Sequence, residues 1–369
     1  MIKHLYIHIP FCESICSYCD FQKRVSSIQT MEKYKKKLIE EIDSIKNLSF
    51  SLETIYIGGG TPTHFPYLEN ILIKINESFD LSNLKEFTIE STTSSVLKYK
   101  NIYKKYNVNR ISIGIESFNS DTLKYINRKE ETYESIKNIM NELNSCGIYN
   151  INLDLIYSLP YETIESINKT LDYLLNLHPT HISYYDLIIE DKTKLSYDIK
   201  MNKVELISED LSIKFYNLIR NRLEKNGYHR YEISNYSLKG YESIHNLSYW
   251  NLDEYIGIGL SSHSQINNKR YMNTNILKDY LDCDNFDDIK EYYDFDKEKE
   301  YFLLGLRKRS GISIKKYKDE YKIDPIIKFN LKKHIENGLL ELKKDNLRFT
   351  EKGLILGNIV FEEFVWKEL

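Results

Sequence analysis

The chain has 369 residues, enough for one large domain with a smaller partner or for two to three small domains. With 41% hydrophobic and 28% charged residues, its composition is that of a globular protein rather than a disordered one. Its 51 basic and 54 acidic side chains give a formal net charge of -3, which argues against a strongly basic nucleic-acid-binding protein.

The start of the chain, MIKHLYIHIPFC, alternates in the manner of a β-strand and shows no apolar core of a signal peptide. No stretch approaches the roughly 18 apolar residues that a membrane-spanning helix requires. The five cysteines, three of them clustered, do not resemble a disulfide framework. We therefore expect a cytoplasmic protein.

Short apolar runs alternate with helical patterns over the first half of the chain. Strands are predicted at residues 4–9, 54–60, 87–91, 110–117, 150–157 and 181–189. Apolar residues at helical spacing predict helices at 31–48 and 132–147, and Gly147 is a plausible stop for the second. Strand–helix alternation predicts βα units with a parallel sheet, and six such units would form a partial version of the eight-stranded βα barrel.

In βα barrels the chemistry lies at the C-terminal ends of the strands. Here the cysteine cluster follows the first predicted strand, and the glycines at 58–60 end the second. Glu90 and Glu116 end the third and fourth strands, and Asp154 lies in the fifth. These residues are therefore predicted to share one site, although each carboxylate has the alternative of being an ordinary strand-end residue.

Beyond residue 200 the pattern changes. A helix is predicted near 205–226, followed by the segments 228–237, 245–250 (HNLSYW) and 255–264. Residues 279–300 hold ten acids against three lysines, which predicts a solvated linker or helix face. The remainder predicts helices, a β-hairpin in LELKKDNLRFT and a final helix. We expect three parts: a core at 1–230, an extension at 231–300 and a C-terminal domain at 301–369.

Three of the five cysteines share one loop with the spacing C-x3-C-x2-C: Cys12, Cys16 and Cys19. A structural zinc site needs four ligands, whereas three thiolates suit a cubane iron–sulfur cluster with one iron left open. Zinc with His8 as the fourth ligand and three unrelated buried cysteines are the alternatives. Cys146 and Cys283 stand alone and are expected to be packing or surface residues.

The triad resembles the signature of the radical S-adenosylmethionine (SAM) superfamily. In that family the open iron of a [4Fe-4S] cluster binds SAM, and one electron cleaves SAM to a 5′-deoxyadenosyl radical. The context agrees, since YIHIPFC leads into the triad and IGGGTP lies about 40 residues on. In the family such a glycine-rich strand end lets the backbone approach the amino group of SAM, because glycine has no Cβ. The segment is neither a P-loop nor a GxGxxG fingerprint.

Further motifs resemble the oxygen-independent coproporphyrinogen III oxidase-like branch of this superfamily. They are YIGGGTPT, NRISIGIESF, NLDLIYSLP, HNLSYW, YIGIG and the tail GLLELKKDNLRFTEKGLILGNIVFEEF. The resemblance covers essentially the whole chain. It implies an α/β fold, with a partial (β/α)6 TIM-like radical SAM barrel and a small C-terminal α+β domain of winged-helix type.

Two kinds of protein occur in this branch: the oxidase, which decarboxylates two propionates, and HemW-type heme chaperones, which bind heme and pass it on. Asp20 and Phe21 follow Cys19, where the oxidase typically has a further cysteine. Only eleven residues precede Cys12, and HNLSYW resembles the HNxxYW motif linked to heme binding. These features favour a chaperone, with the oxidase or another tetrapyrrole-modifying radical SAM enzyme as the alternative; whether the chain is an enzyme stays open.

The resemblance implies roles for individual residues. The three clustered cysteines would hold the [4Fe-4S] cluster. The residues expected to line SAM sites are Tyr6, Tyr18, Gly59, Gly60, Thr61, Glu90, Glu116, Arg128 and Asp154. His245 would be an axial ligand of heme iron, with Tyr249 and Trp250 flanking the macrocycle. The alternative roles are purely structural: His245 would be a packed core residue and Arg128 a surface charge. His263 is a weaker candidate for the heme pocket.

Several positions depart from the family pattern. Glu116 stands where the family usually has glutamine, and Ser158 and Ser261 stand where it has glycine. We hypothesise that the cluster and the heme site persist while SAM turnover is weak or lost. Binding of labelled SAM at the strength usual for the family, with release of 5′-deoxyadenosine, would contradict this.

The resemblance also implies partners: heme, heme-accepting proteins such as membrane respiratory enzymes, and an electron donor for the cluster. Contact with such acceptors would be peripheral to the membrane, and a heme-linked homodimer is compatible with the sequence. A nucleic-acid-binding module is disfavoured, because residues 301–369, with fifteen basic and ten acidic side chains, lack an arginine-rich recognition helix.

Overall fold

The computed structural model describes residues 1–365 of the chain. Its centre is a run of six parallel strands that pair in chain order. The strands are β1 (Ile2–Ile9), β2 (Phe50–Gly59), β3 (Glu86–Thr92), β4 (Arg110–Glu116), β5 (Asn150–Tyr157) and β6 (His181–Asp186). The intervening helices are α1 (Ile28–Ile45), α2 (Leu68–Ser78), α3 (Lys100–Tyr103), α4 (Ser120–Tyr125), α5 (Tyr133–Ser145) and α6 (Ile164–Leu177). The predicted α/β fold with a partial βα barrel is confirmed.

The strands carry apolar side chains on one face and polar side chains on the other. In β1, Leu5 and Ile7 are fully buried in the core that also holds the α1 residue Leu38. The alternate residues His4 and His8 bond to polar partners instead, the Thr54 hydroxyl and the Gln22 carbonyl. Since side chains alternate along a strand, the same sequence lines the barrel with polar groups and covers its outside with helices.

The middle of the chain extends this sheet at both edges. Its elements are α7 (Lys194–Lys200), α8 (Glu209–Lys225), β7 (His229–Arg230), β8 (Asn235–Ser237), α9 (Ile244–Trp250), β9 (Tyr255–Ile258), β10 (His263–Ile266), β11 (Lys269–Asn273), α10 (Leu277–Asp282) and β12 (Lys290–Tyr293). β8 and β7 continue antiparallel from β6, while β9 lies parallel to β1 and leads into antiparallel β10–β12. The result is one sheet of twelve strands within the described residues.

The acidic stretch 279–300, expected to be a linker or helix face, contains strand β12 paired with β11. Glu291 and Tyr292 of this edge strand are exposed, a position that tolerates charged residues. The buried residues Ile256 and Tyr280 belong to the core of the barrel. The extension 231–300 therefore packs as part of the barrel, and the domain boundary at residue 230 stays a prediction.

The C-terminal part forms a small unit with its own core, in which Phe302, Tyr317 and Leu347 are buried. Its elements are α11 (Lys297–Gly305), β13 (Ile312–Ser313), α12 (Ile314–Tyr321), α13 (Pro325–Lys328), α14 (Lys332–Glu336), β14 (Leu340–Lys343), β15 (Asn346–Phe349), α15 (Glu351–Ile355) and α16 (Gly357–Phe361). β15 lies between β13 and β14, and the predicted hairpin is the antiparallel pair β14–β15. The predicted final helix is the pair α15 and α16, and its last predicted residues, 366–369, lie outside the described part.

No helix within residues 1–365 is both long enough and apolar enough to cross a bilayer.

Candidate functional site

A cavity of about 430 Å³ opens at the C-terminal ends of the barrel strands. Of the thirteen residues predicted for the site, eleven line it: Cys12, Cys16, Tyr18, Cys19, Gly59, Gly60, Thr61, Glu90, Glu116, Arg128 and Asp154. Tyr6 and His245 are not among the lining residues. The strand-end rule therefore brings together residues that are up to 142 positions apart, from Cys12 to Asp154.

The loop that carries the three cysteines is held by hydrogen bonds at its base. The Arg24 amide donates to the Pro10 carbonyl (2.7 Å), and the Cys12 amide donates to the Arg24 carbonyl (3.0 Å). The His8 ring bonds through Nε2 to the Gln22 carbonyl (2.8 Å). These contacts do not involve the thiols, so the loop presents all three to the cavity.

The three thiols are free and partly exposed. Burial raises the pKa of the Cys16 thiol to about 11, so a bound metal is needed to hold it as a thiolate at neutral pH. Within residues 1–365 no group of three His, Cys, Asp or Glu side chains is arranged around a single metal ion. His8 is also occupied, through its bonds to the Tyr6 hydroxyl and the Gln22 carbonyl. The three thiols line one cavity while His8 bonds to other partners, so they supply three ligands, the number that suits a cubane cluster with one open iron, rather than the four of a structural zinc site.

Two glycines at the end of β2 allow the cysteine loop to pack against this strand. Gly59 has φ +114°, and a Cβ there would lie 2.5 Å from Cε1 of His8. A Cβ at Gly60 would lie 2.8 Å from the backbone nitrogen of Phe11. These close contacts lie within the protein itself. Glycine at these two positions is therefore needed for packing, in addition to the close approach to SAM that the family resemblance implies.

Two carboxylates are fixed in the wall of the cavity. Glu90 accepts hydrogen bonds from the Tyr56 hydroxyl (2.7 Å) and the Gly59 amide (3.0 Å), and burial raises its pKa to about 7. Asp154 accepts from the Ser112 hydroxyl (2.6 Å) and from Nδ2 of Asn152 (2.8 Å). Oriented carboxylates suit a ligand that carries positive charge and hydroxyl groups, as SAM does.

Glu116, which departs from the family pattern, lies opposite Arg128. Its Oε1 is 3.7 Å from Nη2 of Arg128, and the same guanidinium donates to the Gly114 carbonyl. Burial raises the pKa of Glu116, and the charge of Arg128 opposes this shift. The extra negative charge expected at this position is therefore balanced in part by Arg128, which lines the cavity and is not a surface charge.

Below the cavity the barrel is closed by helix α9, and we call this region the barrel floor. It is defined by buried polar side chains: His4, Thr54, Glu86, Arg110, His181 and His245. Glu86 holds the start of the helix by accepting from the amides of Ile244 (2.7 Å) and His245 (3.3 Å). HNLSYW is therefore the helix that seals the bottom of the barrel.

His245 is 1% exposed, and both of its ring nitrogens are hydrogen-bonded. Nδ1 bonds to the Thr54 hydroxyl (2.7 Å) and Nε2 to the Tyr249 hydroxyl (2.8 Å), while burial lowers its pKa and keeps it neutral. Trp250 points elsewhere, with the Arg307 guanidinium 5.2 Å above its ring. Ligation of heme iron by His245 stays a prediction, and it requires the hydrogen bond at the ligating ring nitrogen to break.

Tyr6 lies in the layer between the cavity and the floor. Its hydroxyl bonds to Nδ1 of His8 (2.9 Å), and its ring stacks on Tyr56 with 6.2 Å between centroids. His263 bonds to Tyr293 on the sheet edge and does not line the cavity. Tyr6 therefore lies behind the cavity wall, and its contact with SAM stays a prediction.

Sequence reasoning missed several lining residues, among them Tyr56, Ser112 and Tyr185. The pattern that could have identified Tyr56 and Ser112 is the alternation of side chains between the two faces of a strand. Tyr56 lies two residues before Gly58, and Ser112 lies four residues before Glu116, so each shares a face with a strand-end residue already suspected. Counting back from the strand ends would have found both.

Comparison with known families gives the class of this protein. The radical SAM superfamily matches residues 6–174, and the HemN C-terminal domain matches residues 296–356. The structure of coproporphyrinogen III oxidase (HemN) from Escherichia coli shares the fold with a TM-score of 0.84 and 21% identity, covering 98% of this chain and 90% of that chain. The fold, the cysteine loop and the carboxylate-lined cavity define a radical SAM protein, and the cofactors of this class are a [4Fe-4S] cluster and SAM.

Comparison with individual proteins narrows the class. The protein named heme chaperone HemW from Lactococcus lactis subsp. lactis (strain IL1403) is 36% identical, covering 99% of this chain and 97% of its own length. The protein of the same name from Bacillus subtilis (strain 168) is 34% identical, covering 99% of both chains. The chain belongs to the HemW family of radical SAM proteins.

Proposed function

We propose that this protein is a heme chaperone that binds a [4Fe-4S] cluster, SAM and heme and transfers the heme to acceptor proteins. One observation carries the proposal: the 36% identity to a heme chaperone extends over 99% of this chain. The alternative is an oxygen-independent coproporphyrinogen III oxidase or another tetrapyrrole-modifying enzyme. Its support is a structural similarity at 21% identity, which is evidence for the fold alone.

In this proposal Cys12, Cys16 and Cys19 ligate the cluster. When bound, the cluster supplies the electron that cleaves SAM in this superfamily. The chain itself contributes orientation, because Glu90 and Asp154 are each fixed by two hydrogen bonds before any ligand arrives. A preorganised wall of this kind costs little reorganisation on binding. Tyr18, Gly59, Gly60, Thr61, Glu116 and Arg128 complete the SAM site.

Heme capture is proposed at His245. A neutral imidazole is a good iron ligand, and the floor keeps this ring neutral. Because Thr54 and Tyr249 occupy both ring nitrogens, the capture state must differ from the one seen here. We propose that α9 moves out of the floor, which would free His245 and carry Tyr249 and Trp250 to the faces of the macrocycle.

We further propose heme-accepting proteins, including membrane respiratory enzymes, as partners, with peripheral and transient contact at the membrane. An electron donor for the cluster would approach the mouth of the cavity, where Phe21 and Ile188 are exposed. A homodimer linked through heme is compatible with a histidine that provides a single axial ligand.

The test is an anaerobic heme titration of the cluster-reconstituted protein, followed by its Soret band. His245→Ala is expected to weaken binding at least about ten-fold through loss of the axial ligand. His4→Ala is the matched control, because His4 and His245 bond to the same Thr54 hydroxyl and are both buried.

Saturable binding that is weakened by His245→Ala but not by His4→Ala would support both the function and the site. Equal weakening in the two variants would mean that the floor network, rather than iron ligation, controls the affinity. Absence of binding in the wild type would contradict the proposed function and direct attention to coproporphyrinogen III as substrate.

A further inference from the structure

One side chain, Tyr56, contacts both the cavity and the floor. Its hydroxyl donates to Oε1 of Glu90 in the cavity wall (2.7 Å). Its ring stacks on the imidazole of His245, with 5.1 Å between centroids and 28° between planes. Tyr56 itself lines the cavity, whereas His245 does not. One rigid aromatic side chain therefore touches a cavity carboxylate at one end and the floor histidine along its face.

Further hydrogen bonds restrict the movement of both Glu90 and His245. The second oxygen of Glu90 accepts from the Gly59 amide (3.0 Å), so the carboxylate is tied to the end of β2. His245 is confined by Thr54 and Tyr249 at its two nitrogens. Release of the histidine must therefore break its stacking on Tyr56 as well as its two hydrogen bonds.

We propose that Tyr56 is a positioning residue that couples occupancy of the cavity to release of His245. This inference rests on the proposed function, because it assigns a regulation to the same two sites. A ligand that bonds to Glu90 fixes the acceptor of the Tyr56 hydroxyl, and the tyrosine ring is then held against the imidazole.

The sign of the coupling follows from these contacts. SAM carries donor groups and positive charge, and a cation beside Glu90 favours its ionised form, which accepts a stronger hydrogen bond from the Tyr56 hydroxyl than the neutral acid does. With SAM bound, the closed floor is stabilised, and opening of His245 toward heme is disfavoured. By linkage, heme bound at His245 must lower the affinity for SAM by the same factor.

The test compares heme affinity with and without saturating SAM in the oxidised, cluster-reconstituted protein, in which no electron is available to cleave SAM. In the wild type SAM is expected to weaken heme binding about five-fold or more. Tyr56→Phe keeps the ring on His245 but removes the hydroxyl that reaches Glu90, so the factor should fall to about one. Tyr103→Phe is the matched control, since Tyr103 is a fully buried tyrosine whose hydroxyl donates to the Val96 carbonyl (2.7 Å), away from both sites.

A second readout needs neither heme nor a variant. Amide hydrogen exchange of residues 244–250 in the cluster-loaded wild type should slow about five-fold when SAM is added, because the open floor becomes rarer.

If heme binds equally well with and without SAM, or if Tyr56→Phe keeps the full factor, the coupling through Tyr56 is refuted while the chaperone function stands. If SAM does not bind, or exchange is unchanged, the coupling is likewise refuted. If heme does not bind the wild type at all, the proposed function fails, and the coupling fails with it.

Discussion

The two ends of the barrel are built from the same six strands and differ in what their polar side chains do. At the cavity, Glu90 and Asp154 face an opening of about 430 Å³ and keep capacity to bind a ligand. At the floor, Glu86 accepts hydrogen bonds from the start of α9, and the His245 ring bonds to Thr54 and Tyr249. One end is therefore arranged to receive ligands, and the other is closed by its own hydrogen bonds.

Burial acts in opposite senses on the charges of the two ends. It raises the pKa of Glu90 to about 7, so this carboxyl changes charge near neutral pH. It lowers the pKa of His4, His181 and His245, so these rings are neutral under the same conditions. The cavity therefore responds to a change of pH near neutrality, whereas the floor opens only when contacts are broken.

The largest effect is expected at the mouth of the cavity. Cys16→Ser removes one of three proposed cluster ligands, and reconstitution should then give little or none of the visible absorption of a [4Fe-4S] cluster. Cys146→Ser is the control, because Cys146 lies at the end of α5 and does not line the cavity. A normal cluster in Cys16→Ser, measured by iron content and electron paramagnetic resonance, would contradict the assignment. The floor should be unaffected, so thermal unfolding of the apo forms should stay similar.

A smaller but still large effect is expected at the floor. Glu86 accepts from the amides of Ile244 and His245 and from the Ser243 hydroxyl, and it interacts electrostatically with the buried guanidinium of Arg110. Glu86→Ala leaves these donors and this cation without their acceptor, which should lower the free energy of unfolding by about 3 to 5 kcal/mol. Urea denaturation measures the loss.

Glu53→Ala provides the comparison for this variant. Glu53 lies on β2 beside Thr54, the residue that pairs with Glu86, and it forms ion pairs with Lys3 and Lys85 at the surface. Its removal should cost less than about 1 kcal/mol. Similar losses in the two variants would show that the floor is not held by Glu86, and the contrast between an open and a closed end of the barrel would then be wrong.

The sequence predicted the cavity better than the floor, and the reason is physical. Strand ends in a parallel barrel meet at one place, so Cys12, Glu90 and Asp154 could be brought together from strand order alone. The floor depends on α9 folding back under the barrel to meet His4 and Thr54, which are more than 190 residues away. The alternation at the start of the chain predicted a strand, but no local pattern says which distant helix packs beneath it. The reading of 279–300 as a linker or helix face overlooked edge strand β12, because net charge alone cannot distinguish a linker from an exposed edge.

The smallest effect is expected at Glu162, a buried acid behind the cavity rim. It tests the difference in pH dependence between the two ends of the barrel. Glu162 is 4% exposed, accepts from the Ser117 hydroxyl (3.0 Å), and has its pKa raised to about 8 by burial. Because the folded pKa lies above that of the unfolded chain, the group stabilises the fold fully below about pH 4.5, and this stabilisation is lost as the pH rises through 8. Glu162→Gln keeps the shape of the protonated acid, so it should be near neutral at pH 5 and stabilising by about 2 kcal/mol at pH 9. Urea denaturation at both pH values measures this, and an equal effect at pH 5 and pH 9 would show that the carboxyl does not titrate in the folded state.

The floor histidines stay neutral from pH 7 to pH 9, so His4→Ala should change the free energy of unfolding by the same amount at both pH values. A change that depends on pH in this range would show that the floor responds to pH as the cavity does, and the contrast between the two ends would then be wrong.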